Sequence, residues 1–149
     1  MNSKEVLADF QILGSRVSKL ILDTRILDEK GRTDISFDFD YDTDEVEEDG
    51  NRLLGVLRFI VQIKAKVKNK ILFKIELEME GMFTGNNDRL SREKFMEMLE
   101  INGLVNLLHL SRAYLISVTA QSGINPPVRL PMINVLILRE EKANLSRDE

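Results

Sequence analysis

At 149 residues, 43% apolar and 31% charged, the chain has the size and make-up of one globular domain able to bury a core without staples. A net charge of −4 speaks against a general nucleic-acid binder, and the absence of cysteine excludes disulfides, thiolate nucleophiles and cysteine-based zinc sites. Residues 1–6 lack the apolar core of a signal peptide, and no run of about 18 apolar residues exists to span a membrane, so the cytoplasm is the expected compartment.

The first predicted element runs from about Phe10 to Ile26. Leu13, Ser15 and Val17 share one parity, Leu20, Leu22 and Thr24 the other; one extra residue near Ser18-Lys19, a bulge, would produce that switch, and so would a break into two short strands. A turn is expected at residues 29–32. Ile35, Phe37, Phe39 and Tyr41 then alternate with Ser36, Asp38, Asp40 and Asp42, a strand with one apolar and one acidic face. The acidic stretch 43–51 is expected to be an exposed loop. Leu53, Leu57, Phe59, Val61, Ile63, Ala65 and Val67 fall on one strand face, with Arg58, Gln62, Lys64 and Lys66 on the other. After a tight turn at Lys68-Asn69-Lys70, Ile71, Phe73, Ile75, Leu77 and Met79 alternate with Lys74, Glu76, Glu78 and Glu80. These two runs predict a hairpin, and all four strands can lie antiparallel with one face on a core.

Beyond Gly85 the period changes to that of a helix. Ser91 is a candidate N-cap with Glu93 in the first turn, and Phe95, Met98 and Leu99 have helical spacing. Asn102-Gly103 is expected to interrupt the helix, which resumes from Leu104 to about Gln121 and stops at Ser122-Gly123. This second run is apolar nearly all round, so it needs cover on two sides. The sheet supplies one. A partner subunit is the expected other, with Leu104, Leu107, Leu108 and Leu115 assigned to the oligomer helix. Three prolines, Pro126, Pro127 and Pro131, predict an extended crossing segment. Met132 to Leu138 could be helix or strand, and residues 139–149 are expected to fray.

Candidate chemistry is sparse. Asp38-x-Asp40-x-Asp42 has the opening of a calcium loop, but Thr43 and Asp49 stand where such a loop needs Gly and Glu. His109, the single histidine, has no placed nucleophile and is expected to be a partly buried structural residue. Glu76, Glu78 and Glu80 read as a solvated strand face. The Lys64, Lys66, Lys68, Lys70 cluster is expected to be neutralised across strands by Asp38 to Asp42. No catalytic set, metal site or cofactor site emerges.

Several strings together resemble the SecB protein-export chaperone family. They are Asn106-Leu107-Leu108-His109-Leu110-Ser111-Arg112, the spaced Gly123, Pro126, Leu130 and Asn134, the opening Phe10-Gln11-Ile12, and Gly81-Met82-Phe83 with Glu76 upstream. The resemblance spans about residues 10–138, the expected ordered core of a single domain. It implies an α+β fold, a four-stranded antiparallel sheet followed by a long helix and a proline-rich crossing segment, assembled as a homotetramer built as a dimer of dimers; self-association to a dimer or a dimer of dimers is expected. It also implies an apolar client groove near Met82, Phe83, Ile124, Pro126, Val128, Leu130 and Met132. The family uses an acidic sheet face to dock the SecA motor; Asp23 and Glu76 fit that face, while Lys19 and Lys74 intrude on it. The family's second helix is shortened or lost after Leu138. The implied function is an ATP-independent holding chaperone for unfolded or precursor polypeptides; the alternative is a dedicated adaptor, such as a chaperone controlling a toxin–antitoxin pair. A hot-dog thioesterase would place its helix before most strands, whereas here the helix follows all four.

Overall fold

A computed structural model describes residues 8–28 and 30–148. Of the expected turn at 29–32, position 29 therefore lies outside the described residues, as does position 149 of the tail. The strands are β1 (Phe10–Thr24), β2 (Thr33–Thr43), β3 (Glu47–Asp49), β4 (Arg52–Val67) and β5 (Lys70–Asn86). All pair antiparallel in one sheet of order β1-β5-β4-β2, with β3 beside β4 beyond the end of β2. The sheet thus has five strands rather than four. The extra one lies in the acidic stretch expected to be a loop: Gly50 at φ 63° turns the chain back so that Asp49 meets Arg52.

The β4–β5 hairpin closes on Lys68-Asn69, with φ of 50° and 64°, the left-handed pair of a type I′ turn. Lys70 already belongs to β5. In β1 the register slips between Val17 and Lys19, so the apolar phase change is a bulge; a second slip lies between Ile12 and Gly14. Period-two alternation then fixes the faces. Leu53, Leu57, Phe59, Val61, Ile63, Phe73, Ile75 and Leu77 are all buried on the inner face.

Helices cover part of that face. α1 (Arg92–Met98) begins at Ser91, whose hydroxyl accepts from the Lys94 amide at 3.1 Å. Asn102-Gly103 does not break the helix. A π-helical turn over Leu99–Gly103 widens it and leads directly into α2 (Leu104–Gln121). The turn brings Gly103 so near the sheet that a Cβ there would stand 2.8 Å from Leu57 Cδ2. Gly81 of β5 makes the complementary space: its Cβ would lie 2.8 Å from both Leu107 Cδ2 and Phe83 Cε2.

The tail after Leu138 is neither lost nor frayed. α3 spans Val135–Asp148. Asn134 caps it, its Oδ1 accepting from the Leu136 and Ile137 amides at 3.1 and 3.2 Å. Arg139 bonds Glu100 at 3.2 Å, Lys142 bonds Asp40 at 2.7 Å, and Lys142 Nζ sits 5.6 Å from the Tyr41 ring centroid. The Tyr41 hydroxyl donates to Glu100 at 3.0 Å; burial first, then that carboxylate, push its pKa well above the usual phenol value.

Candidate functional site

The wall of the site begins where α2 stops. Gly123 adopts φ 81°, its amide donates to Ala120 O, and the Ile124 amide donates to Thr119 O at 3.0 Å. This paired closure fixes the direction in which the chain leaves the helix. Fully buried Thr119 then holds the crossing segment: its hydroxyl donates to Leu115 O and accepts the Val128 amide at 2.9 Å. Val128 and Leu130 turn inward and are buried, whereas Arg129 between them is exposed, the alternation of an extended segment.

Between this segment and the sheet runs an open groove of about 360 Å³. Ile35, Phe37, Leu72 and Phe73 line it from the sheet, and Ile124, Pro126, Pro127 and Val128 line it from the crossing segment. Ile35 is 46% exposed although it has the inward parity of β2. The apolar inner face of the sheet thus extends beyond its helical cover. Phe37 stacks on Phe39 with centroids 6.0 Å apart, and Phe39 on Phe59 at 6.2 Å, so the groove floor is continuous with the core.

Of the residues expected at a groove, Ile124, Pro126 and Val128 line this one. Leu130 is sunk in the core and Met132 is 91% exposed, outside the groove lining. Met82 and Phe83, being adjacent on a strand, point to opposite faces: Phe83 is buried against Phe10 with centroids 5.3 Å apart, and Met82 is half exposed on the outer face. Ile35, Phe37, Leu72 and Thr119 escaped the sequence reading. The alternation of β2 did mark Ile35 and Phe37 as inward, but not that they would lie uncovered.

Leu104, Leu107 and Leu115 face the sheet of their own chain and are fully buried, with Leu108 half-buried beside them. The large apolar residues that α2 turns to solvent are Val105 and Leu110. His109 is exposed rather than partly buried.

The outer face of the sheet is charged. Arg58 bonds Asp42 at 2.7 Å, Asp44 at 2.8 Å and Glu80 at 3.0 Å. Its bonds to Asp44 and Asp42 raise its pKa, and the same guanidinium holds Asp44 below its ordinary value. Glu80 is lowered first by Arg16, which bonds it at 2.9 Å. Glu76 pairs with Lys19 at 3.2 Å and Asp23 with Arg25 at 3.6 Å, so both carboxylates of the expected SecA contact already have cations. The lysine run of β4 does not oppose Asp38, Asp40 or Asp42; of the β2 aspartates only Asp34 faces a lysine, Lys66. The register sets Asp42 against Arg58, Asp38 against Gln62 and Lys64 against Ser36, so Asp38 to Asp42 lie farther along β4 than its lysines. Among the described residues no three His, Asp or Glu side chains converge as a metal set, and no helix is long and apolar enough to cross a membrane.

No protein-family model and no curated protein matches the chain. Among solved structures it is similar to the Mycobacterium tuberculosis Rv1957 SecB-like chaperone, in complex with a ChAD peptide from the Rv1956 HigA1 antitoxin. The TM-score is 0.62 at 15% identity, over 85% of this chain and 91% of that one. The fold is SecB-like. A Streptococcus agalactiae protein of unknown function matches with a TM-score of 0.45 at 15% identity, over 83% of this chain and 97% of that one. A divergent SecB-like resemblance in the sequence and an antiparallel sheet with a long helix thus agree with the first of these structures, apart from the added strand.

Proposed function

We propose that this protein is a non-enzymatic, ATP-independent holding chaperone of the cytoplasm that binds unfolded or precursor polypeptides and keeps them from aggregating. The observation that carries the reading is the apolar groove beneath the crossing segment. Its wall is pinned by Thr119, and its floor is the exposed continuation of the core. An extended client could lay apolar side chains into it and meet backbone at the free edge of β2. The test is light scattering from an aggregation-prone unfolded protein diluted with and without this protein, in the absence of nucleotide. Suppression near stoichiometric amounts is expected; none, from a folded protein, would sink general holding.

A second reading, a dedicated chaperone for an antitoxin, is favoured by the antitoxin peptide in the Mycobacterium structure. It predicts tight binding of one cognate segment and indifference to unfolded clients. A SecA contact through Asp23 and Glu76 would have to displace Arg25 and Lys19. Self-association belongs to the proposal through the outward residues Val105 and Leu110 of α2. Sedimentation is expected to show a dimer or larger species, and Val105→Glu with Leu110→Glu to reduce it to a monomer. A wild-type monomer at micromolar concentration would refute that part.

A further inference from the structure

The groove is apolar in its floor but not neutral at its rim. Among the described residues, two that line it carry charge, Arg25 and Arg129, and no carboxylate lines it. Arg129 is exposed and makes no ion pair among the described residues, while Arg25 holds a loose 3.6 Å contact to Asp23 with about half its side chain in solvent. Asp23 and Asp34, the strand carboxylates at this end, have the outward parity of β1 and β2, and Asp34 is itself beside Arg32 at 4.0 Å. Lys68, at the hairpin tip, packs its stem against Gly31 at the same end of the sheet. The protein carries a net charge of −4, yet its acid lies mainly at the opposite end, around Asp42, Asp44 and β3. The mouth of the groove is therefore locally cationic in an acidic protein.

We infer that the groove selects extended polypeptide segments in which apolar residues are flanked by Asp or Glu, with Arg25 and Arg129 reading the flanking carboxylates. The inference rests on the holding-chaperone reading and adds to it a class of client. The apolar floor supplies affinity without regard to sequence, since burial is non-directional. The two guanidiniums supply the preference, because they can meet a carboxylate with paired hydrogen bonds and would repel a flanking Lys or Arg. Asn125 and Thr33, also in the lining, add neutral polar groups able to meet client backbone.

The experiment measures binding of two short extended fluorescent peptides that share one apolar core and differ only in Glu or Lys flanks. At low salt the Glu-flanked peptide is expected to bind about tenfold more tightly, the size set by two exposed ion pairs made in one peptide and opposed in the other. The ratio is expected to approach one at about 1 M salt and to reverse in the R25E/R129E double variant. Folding of that variant is checked by circular dichroism. Binding of either peptide is expected to weaken in Ile35→Gln, which places it in the groove. Equal affinities for the two peptides, both lost in Ile35→Gln, would overturn the charge preference while leaving the groove as a polypeptide site. No binding of either peptide would overturn it too, and if aggregation suppression failed as well the holding reading would fall with it.

Discussion

Thr119→Val replaces a hydroxyl by a methyl of nearly the same shape at a fully buried position of α2. The lost bond to Leu115 O is of little consequence, because that carbonyl still accepts the amide one helical turn on. The Val128 amide is different. Val128 is 4% exposed, and the Thr119 hydroxyl is the acceptor at 2.9 Å. A buried donor left without a partner costs about 1–3 kcal/mol. In a domain of this size each kcal/mol moves Tm by about 2–4 °C, so Tm is expected to fall by roughly 2–12 °C. The damage should be local, with the crossing segment loosening before the sheet. Hydrogen exchange reads this directly: the Val128 amide should lose protection while amides of β4 and β5 keep theirs. Thr119→Ser, which retains the hydroxyl, should keep the Val128 amide protected. A Thr119→Val protein with unchanged Tm and a protected Val128 amide would refute the assignment of Thr119 as the pin of the groove wall.

Gly81→Ala should destabilise by about 1–3 kcal/mol of overpacking, less about 0.4–1 kcal/mol returned through the unfolded chain, since the new methyl meets buried Leu107 and Phe83. Gly14→Ala, with nothing within 4 Å of its Cβ, should be neutral or slightly stabilising; urea midpoints of the pair check both. Asp44 and Glu80 sit below their ordinary values of 3.8 and 4.5, so each binds a proton less readily folded than unfolded. Their stabilisation is present above those values and is lost as pH falls through the lowered ones. Urea midpoints should therefore drop below about pH 4, and less steeply in Arg58→Ala. Ile35→Gln, at a half-exposed site, should leave Tm nearly unchanged and weaken client binding, measured by fluorescence anisotropy; full affinity would remove the sheet edge from the groove.

Much of the fold was legible because strand and helix periods are local. The parity of Leu53 to Val67 named the inner face of β4 residue by residue, and the phase change in β1 marked its bulge. Ser122-Gly123 marked the end of α2 by the one residue type that tolerates φ 81°. What the sequence hid depends on tertiary partners. Glu47–Asp49 has no strand composition and pairs only because Gly50 folds it back on Arg52. α3 is too polar to announce an apolar stripe and is anchored by Glu100 and Asp40, distant in sequence. Its Asn134 cap was visible in principle, as an Asn just ahead of an apolar run. The expected neutralisation of the β4 lysines by Asp38 to Asp42 failed on register, Lys66 facing Asp34 instead. Which aspartate meets which lysine is set by how far β2 slides along β4, and composition does not carry that. The groove combined both cases: Pro126 and Val128 stood out as an extended segment, whereas Ile35 and Phe37 needed the coverage of α2 to be known.

Affinity and selectivity in this groove should be separable, because different parts of the structure supply them. The wall is held by bonds within the chain, the closure of α2 and the Thr119–Val128 bond, so a client would bear little cost for ordering it. The floor is backed by the Phe37, Phe39 and Phe59 stack and is shaped in advance. Loosening the wall should thus weaken every ligand alike. Thr119→Val is expected to lower the affinity for Glu-flanked and Lys-flanked peptides by the same factor, leaving their ratio intact. Removing the rim charges touches neither wall nor floor, so R25E/R129E should change the ratio with little effect on the mean of the two binding free energies. If Thr119→Val altered the ratio, or if the arginine variant lost both peptides equally, wall and rim would be one coupled unit, and a fixed apolar trough with a charged rim would be the wrong physical picture.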